Sequence, residues 1–304
     1  MHLKKHLMFI FAILCALGMI YFYALSDMFH PKQIASYENF TEMKEEFDVT
    51  EEIAEASKNF NASKTPAGII IGKNEVEGNF IALTFDGMDS RGNMEAILKI
   101  ITDQEWHASF FVEGVNAARN TVVIQKLVQD ENLIGNYSFV GISKAEQMTP
   151  GALFEQFCRT QKIIKLITGS EPKLFKLQDT RYMDELLRAA KACGLENAVQ
   201  SDVIIPVGQL GDDEVMKRFV DEIQPGMIVS LQMGRPVPIQ YTRKKGPDTP
   251  AIDKKPTVQD KQTIEAKGSS TVEIVKKLCN ALRKKGLQSV TINALMEMNK
   301  QKNR

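Results

Sequence analysis

Imidazole titrates near neutral pH and is the usual nitrogen ligand of zinc, so the placement of histidine bounds the chemistry open to a chain. This sequence has four histidines, His2, His6, His30 and His107. Three fall in the first thirty residues, and His107 comes just before an apolar run at 108–112. A nucleophilic serine or cysteine needs a base beside it, and no other imidazole is available. P-loop, dinucleotide-fingerprint and HExxH spacings are absent. Carboxylates are better placed: Asp86 closes the apolar run 81–85, Asp89 follows it, and Asp202 lies beyond the run 197–199. Three acids can hold Mg²⁺ or Ca²⁺ through oxygen, and Asp86 with Asp202 would be a glycosidase-like pair. The plainer reading has Asp86 capping the next helix or meeting Lys176, and Asp89, beside Ser90 and Gly92, serving a turn.

The elements that would carry these residues alternate. Short apolar runs at 69–71, 81–85, 108–112, 133–136, 197–199, 227–231 and 289–292 read as strands. Amphipathic stretches at 92–104, 120–129, 150–168, 181–193, 212–222 and 271–285 read as helices. Strands alternating with helices imply parallel pairing, and about seven such repeats suit a closed barrel better than a doubly wound sheet. The α/β fold expected is a distorted (β/α) barrel of about seven strands over residues 65–304. It is interrupted at 235–270 by a polar insert rich in Lys, Pro, Asp, Thr and Gly, which reads as disorder or as a flap over the barrel mouth.

Two segments precede the barrel. Residues 7–25, LMFIFAILCALGMIYFYAL, are nineteen without a charge, long enough as a helix to span roughly 28 Å of hydrocarbon. Lys4 and Lys5 precede the run and Asp27 follows it, so the positive-inside tendency keeps the N-terminus cytoplasmic and the main domain outside. The expectation is a single-pass transmembrane helix; a cleaved signal peptide is the rival, weakened by the bulky YFYALS stretch. Residues 26–64 form an acidic helical stem, which either spaces the barrel from the membrane or packs on its side. Removing Lys4 and Lys5 from 38 basic residues leaves 36 against 38 acidic ones, and no basic stripe is visible, so nucleic acid is not an expected partner. Cys15 lies in the apolar run. Cys158, Cys193 and Cys279 cannot all pair, show no CxxC spacing, and read as small buried hydrophobes.

The motifs Ile81-Ala-Leu-Thr-Phe-Asp-Gly87, Ala108-Ser-Phe-Phe-Val112 with Gly114, Leu133-Ile-Gly-Asn136, Gln224-Pro-Gly-Met-Ile-Val-Ser-Leu231 and Gly286-Leu-Gln-Ser-Val-Thr-Ile292 follow in order. Together they resemble the polysaccharide deacetylases of carbohydrate esterase family 4 over about 67–296. The resemblance implies a site at the C-terminal strand ends. There one Asp and two His hold a divalent metal, a second Asp acts as base on a metal-bound water, and a late His protonates the leaving amine of an N-acetyl sugar.

Residue by residue the pattern is degenerate. Asp86 stands in the base position, but the metal-ligand Asp is Gly87. The His-bearing motif reads Asn136-Tyr137-Ser-Phe-Val-Gly141, with Tyr137 and Gly141 in the histidine places. The base-orienting Arg is Lys176, a point charge rather than a planar fork, and Gln178 follows it where the family has proline. The catalytic acid is Gln232. No metal and no cofactor is therefore expected. Asp89, Asn136, Tyr137, Lys176, Gln178, Asp202 and Gln232 are the candidate binding residues. The expected function is a non-catalytic, membrane-anchored protein that binds an envelope glycan or an envelope protein. The alternatives are an active deacetylase with an atypical site and a scaffold using stem and insert. For Asp86→Asn the expected stability change is about 1 kcal/mol, as for one lost charge-assisted bond.

Overall fold

The computed structural model describes residues 46–72, 75–233 and 270–302. Among these, nine parallel strands form one sheet. They are β1 (Gly68–Ile71), β2 (Phe80–Asp86), β3 (Ser109–Val112), β4 (Leu133–Asn136), β5 (Leu174–Phe175), β6 (Asn197–Gln200), β7 (Val203–Pro206), β8 (Ile228–Gln232) and β9 (Gln288–Val290). Hydrogen bonding orders them β1-β6-β5-β4-β3-β2-β8-β7. The N-terminal half of β2, Phe80–Ala82, pairs with β9, and Thr84–Asp86 pairs with β3.

Side-chain alternation along β2 builds two faces. Ile81, Leu83 and Phe85 point outward into the main core with Met94, Ile97 and Ile101 of helix α2 (Arg91–Asp103). The sequence spacing of those α2 residues is that of one helical face, and the Ser90 hydroxyl accepts from Asn93 N at 3.4 Å as its N-cap. Ala82, Thr84 and Asp86 point the other way, into the barrel. There Ala82 shares an apolar cluster with Phe111, Ile228 and two residues of the final helix (Ile292–Lys302), Ile292 and Leu295. Above that apolar floor the interior becomes polar.

All seven expected strands are present, and β5 and β7 are additional. β5 has only two residues. β7 begins three positions after the end of β6 with no crossover helix between them, so it breaks the alternation by which strands were sought. The barrel is also curled rather than closed: among the described residues β1 and β7 are edges of the hydrogen-bonded order. Ile69 of β1 and Ile204 of β7 nevertheless line the same cavity.

Of the stem, residues from Phe47 onward pack on the side of the barrel. Helix α1 (Thr50–Ala62) lies against α5 (Pro150–Thr168) and α6 (Asp184–Ala192). Phe47, Val49 and Ala56 are each 1% exposed. Phe60 meets Phe154 edge-on at 5.7 Å and lies 4.3 Å under the Arg188 guanidinium. The expected anchor at 7–25, the first part of the stem and the insert up to residue 269 lie outside the described residues. Among the described residues no helix is long and apolar enough to cross a membrane.

Candidate functional site

Parallel strands deliver their C-terminal ends to one face, and here that face carries Asp86, Tyr137, Lys176 and Gln232. All four line a cavity of about 720 Å³, with Gln178 and Ser201 also on its wall. Gln178 and Gln232 engage their side-chain amides with no partner among the described residues, and the Ser201 hydroxyl oxygen is buried without one.

At the cavity floor lies a buried ion pair. Lys176 Nζ donates to Asp86 Oδ2 at 2.8 Å, to Asp86 Oδ1 at 3.0 Å and to Thr84 Oγ1 at 3.0 Å. The two side chains are 4% and 5% exposed. Thr84 Oγ1 donates to Asp86 Oδ1 at 3.0 Å, and the Ser230 hydroxyl donates to Oδ2 in a short bond. Lys176 Nζ also sits 5.3 Å over the Phe111 ring. Burial pushes the Lys176 pKa down, against the opposing pull of the Asp86 charge. Of the two plain roles open to Asp86, meeting Lys176 is the one observed; Ser90 does the helix capping. Every carboxylate oxygen of Asp86 is thus engaged by protein donors.

Beside this pair, the places that the resemblance assigns to metal ligands are otherwise filled. Gly87 and Gly141 both have left-handed backbone, φ +86° and +68°. Glu113, at the residue after β3, lies between them. A Cβ built on Gly87 would fall 3.0 Å from Glu113 Oε1, and one on Gly141 would fall 3.3 Å from Glu113 Cγ. Glu113 Oε2 accepts from Met88 N at 3.0 Å. Burial raises the Glu113 pKa, with the nearby Asp86 charge adding to the rise and hydrogen bonds to Asn116 and Met88 opposing it. Tyr137, 4% exposed, lies 3.9 Å from the same built Cβ. Burial, then the charges of Asp86 and Glu113, drive its phenol pKa far above the ordinary value, so it stays neutral. This donor set, a neutral phenol, two glycines and a carboxylate already bound to backbone, does not fit an imidazole-held zinc. His107 is at the other end of β3, its backbone N–H donating to Ser289 O and its Nδ1 3.3 Å from Asp130 O.

Three candidate residues serve the framework and lie off the cavity wall. Asn136 is fully buried: its Nδ2 donates to Phe157 O at 3.2 Å and Gln161 Oε1 at 3.1 Å, and its Oδ1 accepts from Ser138 N at 2.8 Å. It therefore ties the loop bearing Tyr137 to α5. Asp89 Oδ1 accepts from Ser90 N at 2.6 Å, which is turn chemistry. Asp202 Oδ2 accepts from Ile228 N at 2.8 Å while its own N–H donates to Ile228 O, fastening the β6–β7 connection to β8. Residues not singled out from the sequence also shape the site. Besides Glu113 and Ser230, Tyr182 accepts from Leu177 N at 3.0 Å and so holds the turn that carries Gln178.

The sequence profile of the polysaccharide deacetylase family matches residues 73–198. That stretch of the chain is similar to the polysaccharide deacetylase domain. The domain's fold is also that of solved members of carbohydrate esterase family 4. The Bacillus subtilis peptidoglycan deacetylase PdaC superposes with a TM-score of 0.58 at 19% identity, covering 75% of this chain and 94% of that one. A family 4 pseudoenzyme from Bacillus anthracis superposes with a TM-score of 0.54 at 18% identity, covering 76% and 69%. A mutant of that pseudoenzyme has restored enzymatic activity. In sequence, the Bacillus subtilis protein YlxY is 30% identical over 82 residues, 27% of this chain and 25% of YlxY, so the match spans about a quarter of that relative's length.

Proposed function

We propose that this deacetylase domain binds a glycan of the cell envelope without hydrolysing it, tethered to the membrane through residues 7–25. One observation carries the reading: Glu113 stands between Gly87 and Gly141, where the resemblance calls for a metal. Catalysis in the family needs a water made acidic by that metal and a free carboxylate to take its proton. Here Asp86 has its anionic oxygens occupied by Lys176, Ser230 and Thr84. The cavity keeps features suited to a sugar: the planar amides of Gln178 and Gln232, the Ser201 hydroxyl and the Tyr137 ring all line it. Polar groups without partners lining a concave site favour a hydroxyl-rich ligand, which can satisfy each of them.

The test titrates the full-length protein in detergent with N-acetylated oligosaccharides, reading binding by calorimetry and acetate release in parallel. Saturable binding without acetate release, weakened by Gln178→Ala with Gln232→Ala, is the expected result. Acetate release that Asp86→Asn abolishes would overturn it in favour of an atypical deacetylase. For the tether, the full chain is expected in the membrane fraction. A mature N-terminus near Ser26 would show that the apolar run is removed.

A further inference from the structure

The three cysteines beyond the apolar run differ in surroundings. Cys279 is fully buried on helix α8 (Thr271–Lys284), in the core between that helix and the sheet. Cys158 and Cys193 lie together: their Sγ atoms are 3.2 Å apart although the residues are 35 positions apart in sequence. Cys158 is in the middle of α5 and Cys193 caps the end of α6. The Cys158 thiol lies under the packed stem, its Sγ 3.9 Å from Glu52 O on α1, and Cys193 is partly buried beside it. A disulfide requires the sulfurs to close to about 2.05 Å. The shift needed is about an ångström, within reach of side-chain rotation.

We propose that Cys158 and Cys193 are a disulfide pair whose oxidation staples α5 to the end of α6. In that step the two thiols lose two protons and two electrons. The electrons reduce the disulfide of a small-molecule or dithiol-oxidoreductase oxidant, which leaves as two thiols, and one Sγ–Sγ bond forms. The staple falls where it bears on the cavity. α5 supplies both acceptors of the Asn136 amide, which holds the Tyr137 loop. α6 begins directly after the turn of Gln178 and Tyr182. Joining the two helices fixes the two walls relative to each other. Burial, and the neighbouring Cys158 thiol, raise the Cys193 pKa well above its ordinary value. Reduced Cys193 is therefore a slow nucleophile, since the thiolate is the attacking species. The pair stands on geometry alone and holds whether or not the cavity binds a glycan.

The test incubates full-length protein in detergent with oxidised glutathione at alkaline pH, with and without urea just below the unfolding transition so that access is not limiting. Expected are a peptide linking Cys158 to Cys193 by mass spectrometry and a fall from four titratable thiols to two. The melting temperature should rise by roughly 5 to 10 °C, reversed by dithiothreitol. Cys158→Ser and Cys193→Ser should each abolish the rise, and Cys279→Ser should leave the link intact. Glutathione adducts on Cys158 or Cys193 without a cross-link under both conditions would overturn the proposal. So would links that use Cys279, or a linked protein that melts no higher than the reduced one.

Discussion

Lys176 reaches across the barrel interior to Asp86, spanning from the end of β5 to the end of β2 with two bonds of 2.8 and 3.0 Å. The sequence offers this pairing as one of two plain roles for Asp86, beside helix capping, and the strand order explains how it arises. β5 and β2 are separated by β4 and β3, so only a curled sheet brings their ends within one side chain's reach. The pair forms the floor of the cavity, and Lys176 bonds both carboxylate oxygens.

That pairing raises the stake on Asp86 above the 1 kcal/mol expected from sequence. Asp86→Asn leaves a buried ammonium facing a neutral amide, and uncompensated buried charge destabilises by about 3 kcal/mol or more. Lys176→Met should cost a similar amount by stranding the carboxylate. Asp86→Asn with Lys176→Met removes both charges and should be less destabilised than either single variant. Urea unfolding of the four proteins measures the coupling; additive losses would show that the pair contributes little.

Glu113 gives a pH signature. Its folded pKa is raised above the ordinary value of 4.5. Its contribution is therefore fully present below that value and lost as pH rises through the folded pKa, because the folded state must then ionise a buried acid. Glu113→Gln removes this loss while an amide oxygen still accepts from Met88 N. The variant should gain on the wild type as pH rises above about 4.5, with a slope no steeper than about 1.4 kcal/mol per pH unit, and then hold a constant advantage. Melting temperatures from pH 4 to pH 8 test this, and a difference independent of pH would contradict it.

Much of the fold was legible because buried parallel strands announce themselves as apolar runs such as Ile81-Ala-Leu-Thr-Phe85, and amphipathic helices such as α8 show their period. β7 was missed because no helix precedes it. At the site, five of the candidate residues, Asp86, Tyr137, Lys176, Gln178 and Gln232, do line one cavity. Asn136 and Asp202 were chosen by position along the chain, which cannot reveal that their side chains turn to satisfy buried backbone groups. Glu113 was passed over although a signal existed: a carboxylate directly after the apolar Ser109-Phe-Phe-Val112 lies at the strand end where barrels build sites. The resemblance directed attention to positions 87, 137, 141 and 232, and a residue that fills a space is invisible to a motif comparison.

Asn136 should matter for stability more than its polarity suggests. Asn136→Ala strands the Gln161 amide oxygen and the Ser138 N–H in a fully buried site and removes a second donor from the Phe157 carbonyl. Unpartnered buried groups of this kind together cost about 2 to 3 kcal/mol. The loop 137–142 loses its tie to α5, so its amides should exchange faster with solvent. Calorimetry and hydrogen exchange read the two effects separately.

Reinstating a metal site is the sharpest test of how the vacated place is filled. Gly87→Asp, Tyr137→His, Gly141→His and Gln232→His return the side chains that the resemblance calls for. Two of these positions, Gly87 and Gly141, have φ of +86° and +68°. Asp and His tolerate that region better than most residues, so the backbone strain is bearable. Glu113 is the greater obstacle, because an added Cβ at Gly87 meets its Oε1 at 3.0 Å. The four-fold variant should therefore bind zinc poorly and fold less stably than the wild type. Adding Glu113→Ala should improve zinc affinity at least tenfold, since it frees the space between the two former glycines and removes a buried acid. Calorimetric zinc titration of both variants, with elemental analysis of the purified proteins, measures this. Equal affinity with and without Glu113 would mean that its side chain moves aside freely and does not occupy the metal's place.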